Sequence, residues 1–246
     1  MQRRSFAAGL VLGFAGCALP RPGARLTPGL RAFDFATDTL AAPPADPSAP
    51  GNREPLADPA LRGWADAHAV RQFFLHARFD PAALPPTNER RIALVREVLQ
   101  RSPAEPSPDE RRVVIPGYEN LREFSRLQGH VLRAETWLAC GCEHRAPLLA
   151  KAFGRSDGQQ VAAKLDEAAA ALRPALVRLH RHRQLRYDRA LLVFAAREAD
   201  GMVRFAAYDP GRPGRPVELA FDRARGEFTL PGEVSPDGAA LGVTLE

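Results

Sequence analysis

Cysteine is scarce in this sequence: 3 in 246 residues, at Cys17, Cys140 and Cys142. So few thiols exclude a disulfide framework, and the hydrophobic core has to supply the stability. Lysine is nearly missing as well, with only Lys151 and Lys164 beside many arginines. The formal net charge of +5 therefore reads as the codon usage of a GC-rich genome. A nucleic-acid binder would gather its charge on one face, so nucleic acid is not expected as a partner. The apolar run near the start, Phe6 to Phe14, is shorter than the ~20 residues a membrane-spanning helix needs. P-loop, H-E-x-x-H and dinucleotide glycine motifs are absent, and with them the commonest phosphate, zinc and nicotinamide chemistries. The carboxylate pairs Asp109-Glu110 and Asp166-Glu167 fall on a loop and a helix face, where charge is ordinary solvation.

What is present begins with residues 1–16. Arg3-Arg4-Ser-Phe6 is followed by the apolar run and by Ala15-Gly16-Cys17, the basic–apolar–small order of an export signal. The segment resembles a bacterial lipoprotein signal with a twin-arginine start. That resemblance implies a lipid on Cys17, anchorage in a membrane, and a periplasmic or cell-envelope location. Phe14 stands where such signals carry an aliphatic residue. An ordinary signal peptide or a short buried helix remains the plainer reading of the same residues. Residues 17–60 are rich in Pro, Ala, Asp and Gly, as in Ala42-Pro-Pro-Ala-Asp-Pro-Ser-Ala-Pro-Gly51. They read as a flexible tether, with a short docking strand expected within Phe33–Leu40.

Residues 61–246 are expected to form one α+β domain, and a hydrophobic content of 45% suffices for its core. Helical spacing runs from Trp64 through Val70, Phe73 and Phe74. A second helix is expected after Pro86, capped by Thr87 or Asn88. Arg112–Ile115 reads as a short strand, Leu121–Leu127 as a helix, and 158–172 as a longer helix that Pro174 kinks or breaks. The basic cluster Arg178–Arg183 reads as a solvated helix end. Strands are expected at Ala190–Phe194, Met202–Tyr208, Pro216–Phe221, Glu227–Leu230 and Leu241–Leu245. The first two form a hairpin through Ala199-Asp200-Gly201. Helices first and antiparallel strands last give the α+β class.

Three pieces carry a resemblance: Gly63-Trp-Ala-Asp-Ala-His-Ala-Val-Arg-Gln-Phe-Phe74, Tyr187-Asp-Arg189-Ala-Leu-Leu-Val-Phe194 and Tyr208-Asp209-Pro210. Together they resemble the papain-like, C39-like cysteine peptidases of secreted bacterial proteins. In that family a helix opens with the nucleophilic cysteine, a strand begins with histidine, and a Tyr-Asp-Pro turn orients the histidine. The resemblance implies N-terminal helices packed on a C-terminal antiparallel sheet. Here the nucleophile position falls on Gly63, or on Ala65 in a shifted register, and the histidine position on Arg189. A guanidinium has no acceptor lone pair and cannot take a proton from a thiol. Of the three positions only Asp209 fits, and a salt bridge with Arg189 is expected of it. No catalysis is expected from Gly63, Arg189 and Asp209, and no cofactor. A plain strand-ending turn is the rival reading of Tyr208-Asp209-Pro210, and a solvent-facing or core-edge residue that of His68.

Cys140-Gly-Cys142-Glu-His144 is the second site-like feature. It has the residue types of a soft-metal site or a thiol–disulfide pair, although metal sites space their cysteines more widely. The expected role is binding or scaffolding at the cell envelope, with a peptide or protein as ligand. A periplasmic thiol enzyme or metal-binding protein built on Cys140, Cys142 and His144 is the alternative.

Overall fold

The structure is a computed structural model and describes residues 30–42, 59–140, 157–181, 184–231 and 241–245. Five α-helices are described: α1 (Phe35–Asp38), α2 (Pro59–His76), α3 (Asn88–Leu99), α4 (Leu121–Cys140) and α5 (Gly158–Ala170). The strands are β1 (Ala77–Asp80), β2 (Val113–Pro116), β3 (Ala175–Arg181), β4 (Gln184–Ala199), β5 (Met202–Tyr208), β6 (Val217–Asp222), β7 (Glu227–Thr229) and β8 (Leu241–Leu245). The class is α+β. The antiparallel sheet of the C-terminal part closes on itself as a six-stranded barrel in the order β3-β4-β5-β6-β7-β8, and β1 and β2 form a separate parallel pair.

Period-two alternation explains both the barrel and its two cores. Val177, Leu179, Leu191, Val193, Val203, Phe205 and Leu219 join α5 in one buried cluster. The intervening Leu176, Ala190, Leu192 and Tyr208 join α2, α3 and α4 in the other. Strands buried on both faces lose the polar alternation that marks a half-exposed strand. Each fully buried leucine contributes roughly 2 kcal/mol of transfer free energy, so the layer between helices and barrel is held by both faces of β3, β4 and β5.

The cluster Arg178–Arg183 is not a helix end. Its first four residues belong to β3, with Arg178 and His180 buried on the face opposite Val177 and Leu179. Period two outweighs the basic composition here. The expected docking strand is instead the single turn α1: Asp34 caps it by accepting from the Ala36 amide at 2.9 Å. Local side-chain capping favours a turn over extension. The segment from 30 to 42 is nevertheless fastened to the domain. Arg122 donates to the Phe35 carbonyl at 3.2 Å and to Thr39 Oγ1, and the Ala41 amide donates to Ser125 Oγ at 2.8 Å. On the barrel, the register shift after Val193 leaves Phe194 unpaired, and its ring stacks on Phe33 at 4.8 Å. That is a bulge re-aiming a side chain.

Helix boundaries follow local chemistry. Thr87 caps α3 by accepting from the Arg90 amide at 3.4 Å. Leu172, at φ 59°, ends the segment after α5, while the Arg173 amide bonds back to the Ala168 carbonyl at 2.9 Å. Pro174 therefore follows a finished helix and kinks nothing. The β4–β5 hairpin turns at Asp200 and Gly201, both at positive φ (54° and 73°), the twist-matched turn that favours Asp-Gly.

Candidate functional site

β4 and β5 run antiparallel, with Leu192 opposite Tyr208. This pairing carries the C-terminal end of β5 toward the start of β4 and so places Asp209 against Arg189. Arg189 Nη2 forms an ion pair with Asp209 Oδ2. Asp209 Oδ1 accepts from the Gly211 amide at 2.9 Å, closing an Asx turn. The carboxylate side chain is 1% exposed and the guanidinium 19%. A carboxylate this buried needs its counter-charge, and a permanently protonated arginine supplies it without offering a base.

The other expected position, Gly63, lies one turn inside α2, which begins at Pro59. It is therefore not at the helix N-terminus, where the dipole would assist a thiolate. Gly63 and Gly211 line the same cleft, of about 280 Å³. A Cβ on Gly211 would stand 3.3 Å from Asp209 Oδ1 and 4.0 Å from Arg189 Nη2. One on Gly63 would meet no atom within 4 Å. Gly211 thus borders both the cleft that Gly63 lines and the Arg189–Asp209 pair, while neither Arg189 nor Asp209 itself lines that cleft. Ala65 is buried in the core and does not line that space.

The rest of the cleft comes from three elements. α2 contributes Arg62 and Asp66, α4 contributes Ser125, Gly129, Leu132 and Arg133, and the docked segment contributes Leu40 and Ala41. Tyr208 forms part of the wall; its phenol is hydrogen-bonded to the Leu40 backbone. Burial first, and the Asp66 charge second, push that phenol far above its usual range. Tyr208 is therefore a neutral hydrogen-bonding group at any working pH. α4 departs from helical geometry at Gln128 (φ −127°, ψ 25°), next to Gly129 and on the stretch that faces the cleft.

His68 stacks on Trp64 at 5.3 Å and 16°, does not line the cleft and sits at the core edge, partly buried. Asp109 belongs to a 3₁₀ turn and pairs with Arg112 at 3.2 Å. Asp166 and Glu167 border a groove between α5 and the barrel. Cys140 is the last residue of α4. Cys142 and His144 lie outside the described residues, as does Cys17. Among the described residues no group of three or more His, Cys, Asp or Glu could hold a metal ion. No described helix is long and apolar enough to cross a membrane. Gly154-Arg-Ser156-Asp-Gly158 has the G-x-S-x-G spacing of a nucleophile elbow. Ser156 lies outside the described residues, while Asp157 serves as the N-cap of α5, accepting from the Gln159 amide at 2.9 Å.

A larger hollow of about 760 Å³ lies between the docked segment and β1. Its best-buried cation, Arg112, is paired with Asp109, and Arg31 with Asp38. His76, buried close by, bonds through Nε2 to the Ser102 carbonyl at 3.0 Å and through Nδ1 to Ser107 Oγ at 2.9 Å. Both groups are engaged in holding loops.

A family model described as a domain of unknown function (DUF8321) matches residues 67–135. That stretch runs from the middle of α2 into α4, so it includes the α4 side of the cleft and excludes Gly63, Arg189 and Asp209. No curated protein and no solved structure matches the chain.

Proposed function

We propose that this is an exported, lipid-anchored binding protein. In this reading its domain is a papain-like fold whose nucleophile and base positions hold Gly63 and Arg189. It works at the bacterial cell envelope, held to the membrane through Cys17. Its cleft binds an extended peptide segment of a partner and does not cleave it. The observation that carries the reading is the Arg189–Asp209 ion pair beside the open space at Gly63. The aspartate that would orient a histidine is spent on a guanidinium, and the place of the sulfur is empty volume bordered by Tyr208 and glycines. A cleft kept open without its chemistry is suited to recognition.

Gly63 provides the test, because it lines the cleft and a Cβ there meets no atom within 4 Å. Gly63→Phe fills the site and also replaces a helix-interior glycine by a better helix former, a gain of ~0.3–0.5 kcal/mol. The full chain is incubated with a mixture of random pentapeptides, and retained and cleaved species are separated by mass spectrometry. Intact peptides retained by the wild type and lost from Gly63→Phe, at an unchanged or raised Tm, support the reading. Cleavage that survives replacement of Cys140 and Cys142 by serine overturns it. The anchor is tested separately: Cys17→Ser should move the protein from the membrane fraction to the soluble one and abolish incorporation of labelled fatty acid.

A further inference from the structure

Among the described residues, Arg133 is the cation of the cleft that has no counter-charge. It stands on α4 beyond the departure at Gln128, and its guanidinium folds back over Gly129. Nη2 lies 3.4 Å from where a Cβ on that glycine would stand. Among the described residues Arg133 takes part in no hydrogen bond or ion pair. The neighbouring charges differ in this respect. Arg62 and Asp66 both have partners, and Arg189 and Asp209 neutralise each other.

Two arginines against one aspartate line the space, so the site carries one net positive charge. A half-buried guanidinium without an anion gives up hydration and gains no ionic contact in return. Its five donors form a fork that matches the two oxygens of a carboxylate. Glycines at 63, 129 and 211 leave parts of the wall bare, so the main chain of a ligand can approach closely. At about 280 Å³ the cleft falls below the ~300–1,000 Å³ typical of drug-sized ligands. It suits one or two residues of a segment whose remainder stays outside.

Resting on the reading of this cleft as a peptide site, we infer that Arg133 recognises a carboxylate. The cleft takes a segment carrying either a C-terminal carboxylate or an Asp or Glu side chain, with that group forked on the Arg133 guanidinium. Isothermal titration of the full chain tests this with four probes: acetyl-Ala-Ala-Glu-Ala-Ala-amide, its Gln counterpart, acetyl-tetra-alanine with a free C-terminus, and acetate. At least one acid-bearing peptide should bind about tenfold more tightly than the Gln peptide, which is ~1.4 kcal/mol. Whether the Glu or the free-acid peptide leads identifies the source of the carboxylate. R133Q should bring the acid peptides down to the Gln level, and R133K should recover part of the loss. The Tm of R133Q should stay close to the wild-type value, because no hydrogen bond or ion pair among the described residues is removed.

Affinity of both acid-bearing peptides no higher than that of the Gln peptide, or acid binding unchanged in R133Q, overturns the carboxylate inference and leaves the cleft as a peptide site. If wild type binds none of the peptides, or if Gly63→Phe leaves their binding intact, the cleft reading falls as well. Binding of acetate alone with the peptides excluded overturns the peptide part of the inference.

Discussion

Removing either partner of the Arg189–Asp209 pair should not cost the same. The carboxylate is 1% exposed and the guanidinium 19%. Arg189→Met therefore strands a buried charge that keeps the Gly211 amide as a donor at 2.9 Å. Breaking a buried pair this way costs about 3–5 kcal/mol. The partial opening at Arg189 lets water into the vacated space, which puts the loss near the lower end, ~3 kcal/mol. Asp209→Asn keeps an amide oxygen for Gly211 and leaves behind a guanidinium that already reaches solvent, so the loss is about 1–1.5 kcal/mol. At roughly 2–4 °C per kcal/mol for a chain of this size, Arg189→Met should lower Tm by about 6–12 °C and Asp209→Asn by about 2–6 °C. In the double variant the stranded charge is gone, so its loss should fall well below the sum of the two singles. Urea titrations of the four proteins complete the cycle. An Asp209→Asn loss that equals or exceeds that of Arg189→Met, or strict additivity, would refute the assignment of this pair as a buried charge and its necessary counter-ion.

Two further perturbations probe how the barrel and the helical layer are held. Gly242 lies opposite His180 in the β3–β8 pair, and a Cβ there would fall 2.1 Å from His180 Nε2. Gly242→Ala should cost about 1–3 kcal/mol by overpacking, and His180→Ala in the same chain should recover most of that loss in a thermal melt. For His76, burial first, opposed by the Ser102 carbonyl bond and reinforced by Arg101, Arg112 and Arg71, pushes the imidazole down to about 4. The unfolded chain then takes up this proton before the folded one does. The contribution is complete above the usual pKa of ~6.5 and is lost as pH falls from there toward 4. In urea titrations at stepped pH, His76→Asn should be less stable at neutral pH and show a shallower decline over that window. An unchanged slope would mean that this histidine is not the group taking up the proton.

The parts of the fold that could be read from sequence are those whose information is local. Asp200-Gly201 announced its turn because two successive positive φ angles suit few other pairs. Thr87 announced a cap, and Trp64, Val70, Phe73 and Phe74 a buried helix face. β1 was missed because Ala77–Asp80 follows α2 without a break and carries no turn residue before it. β3 was missed because Arg178 and His180 look like surface residues, yet both lie buried on the barrel's outer side. Closure of the sheet was also out of reach. It depends on β3 pairing with β8, Val177 opposite Leu245, a contact between segments far apart in the chain.

The site divides along the same line. The expected Arg189–Asp209 salt bridge needed only two strands of a hairpin in register, and an extended pairing of β4 with β5 provides it. Arg133 left no trace in the sequence, where it is one arginine among many on an amphipathic helix. Its standing depends on facts that exist only in three dimensions: the departure at Gln128, Gly129 beneath the guanidinium, and neighbouring charges already matched elsewhere. Because Arg189 and Asp209 neutralise each other, they add no net field for a ligand to follow, and the unmatched charge lies across the cleft on α4. The charge open to a ligand therefore lies on the helical side of the cleft, where α4 falls within residues 67–135.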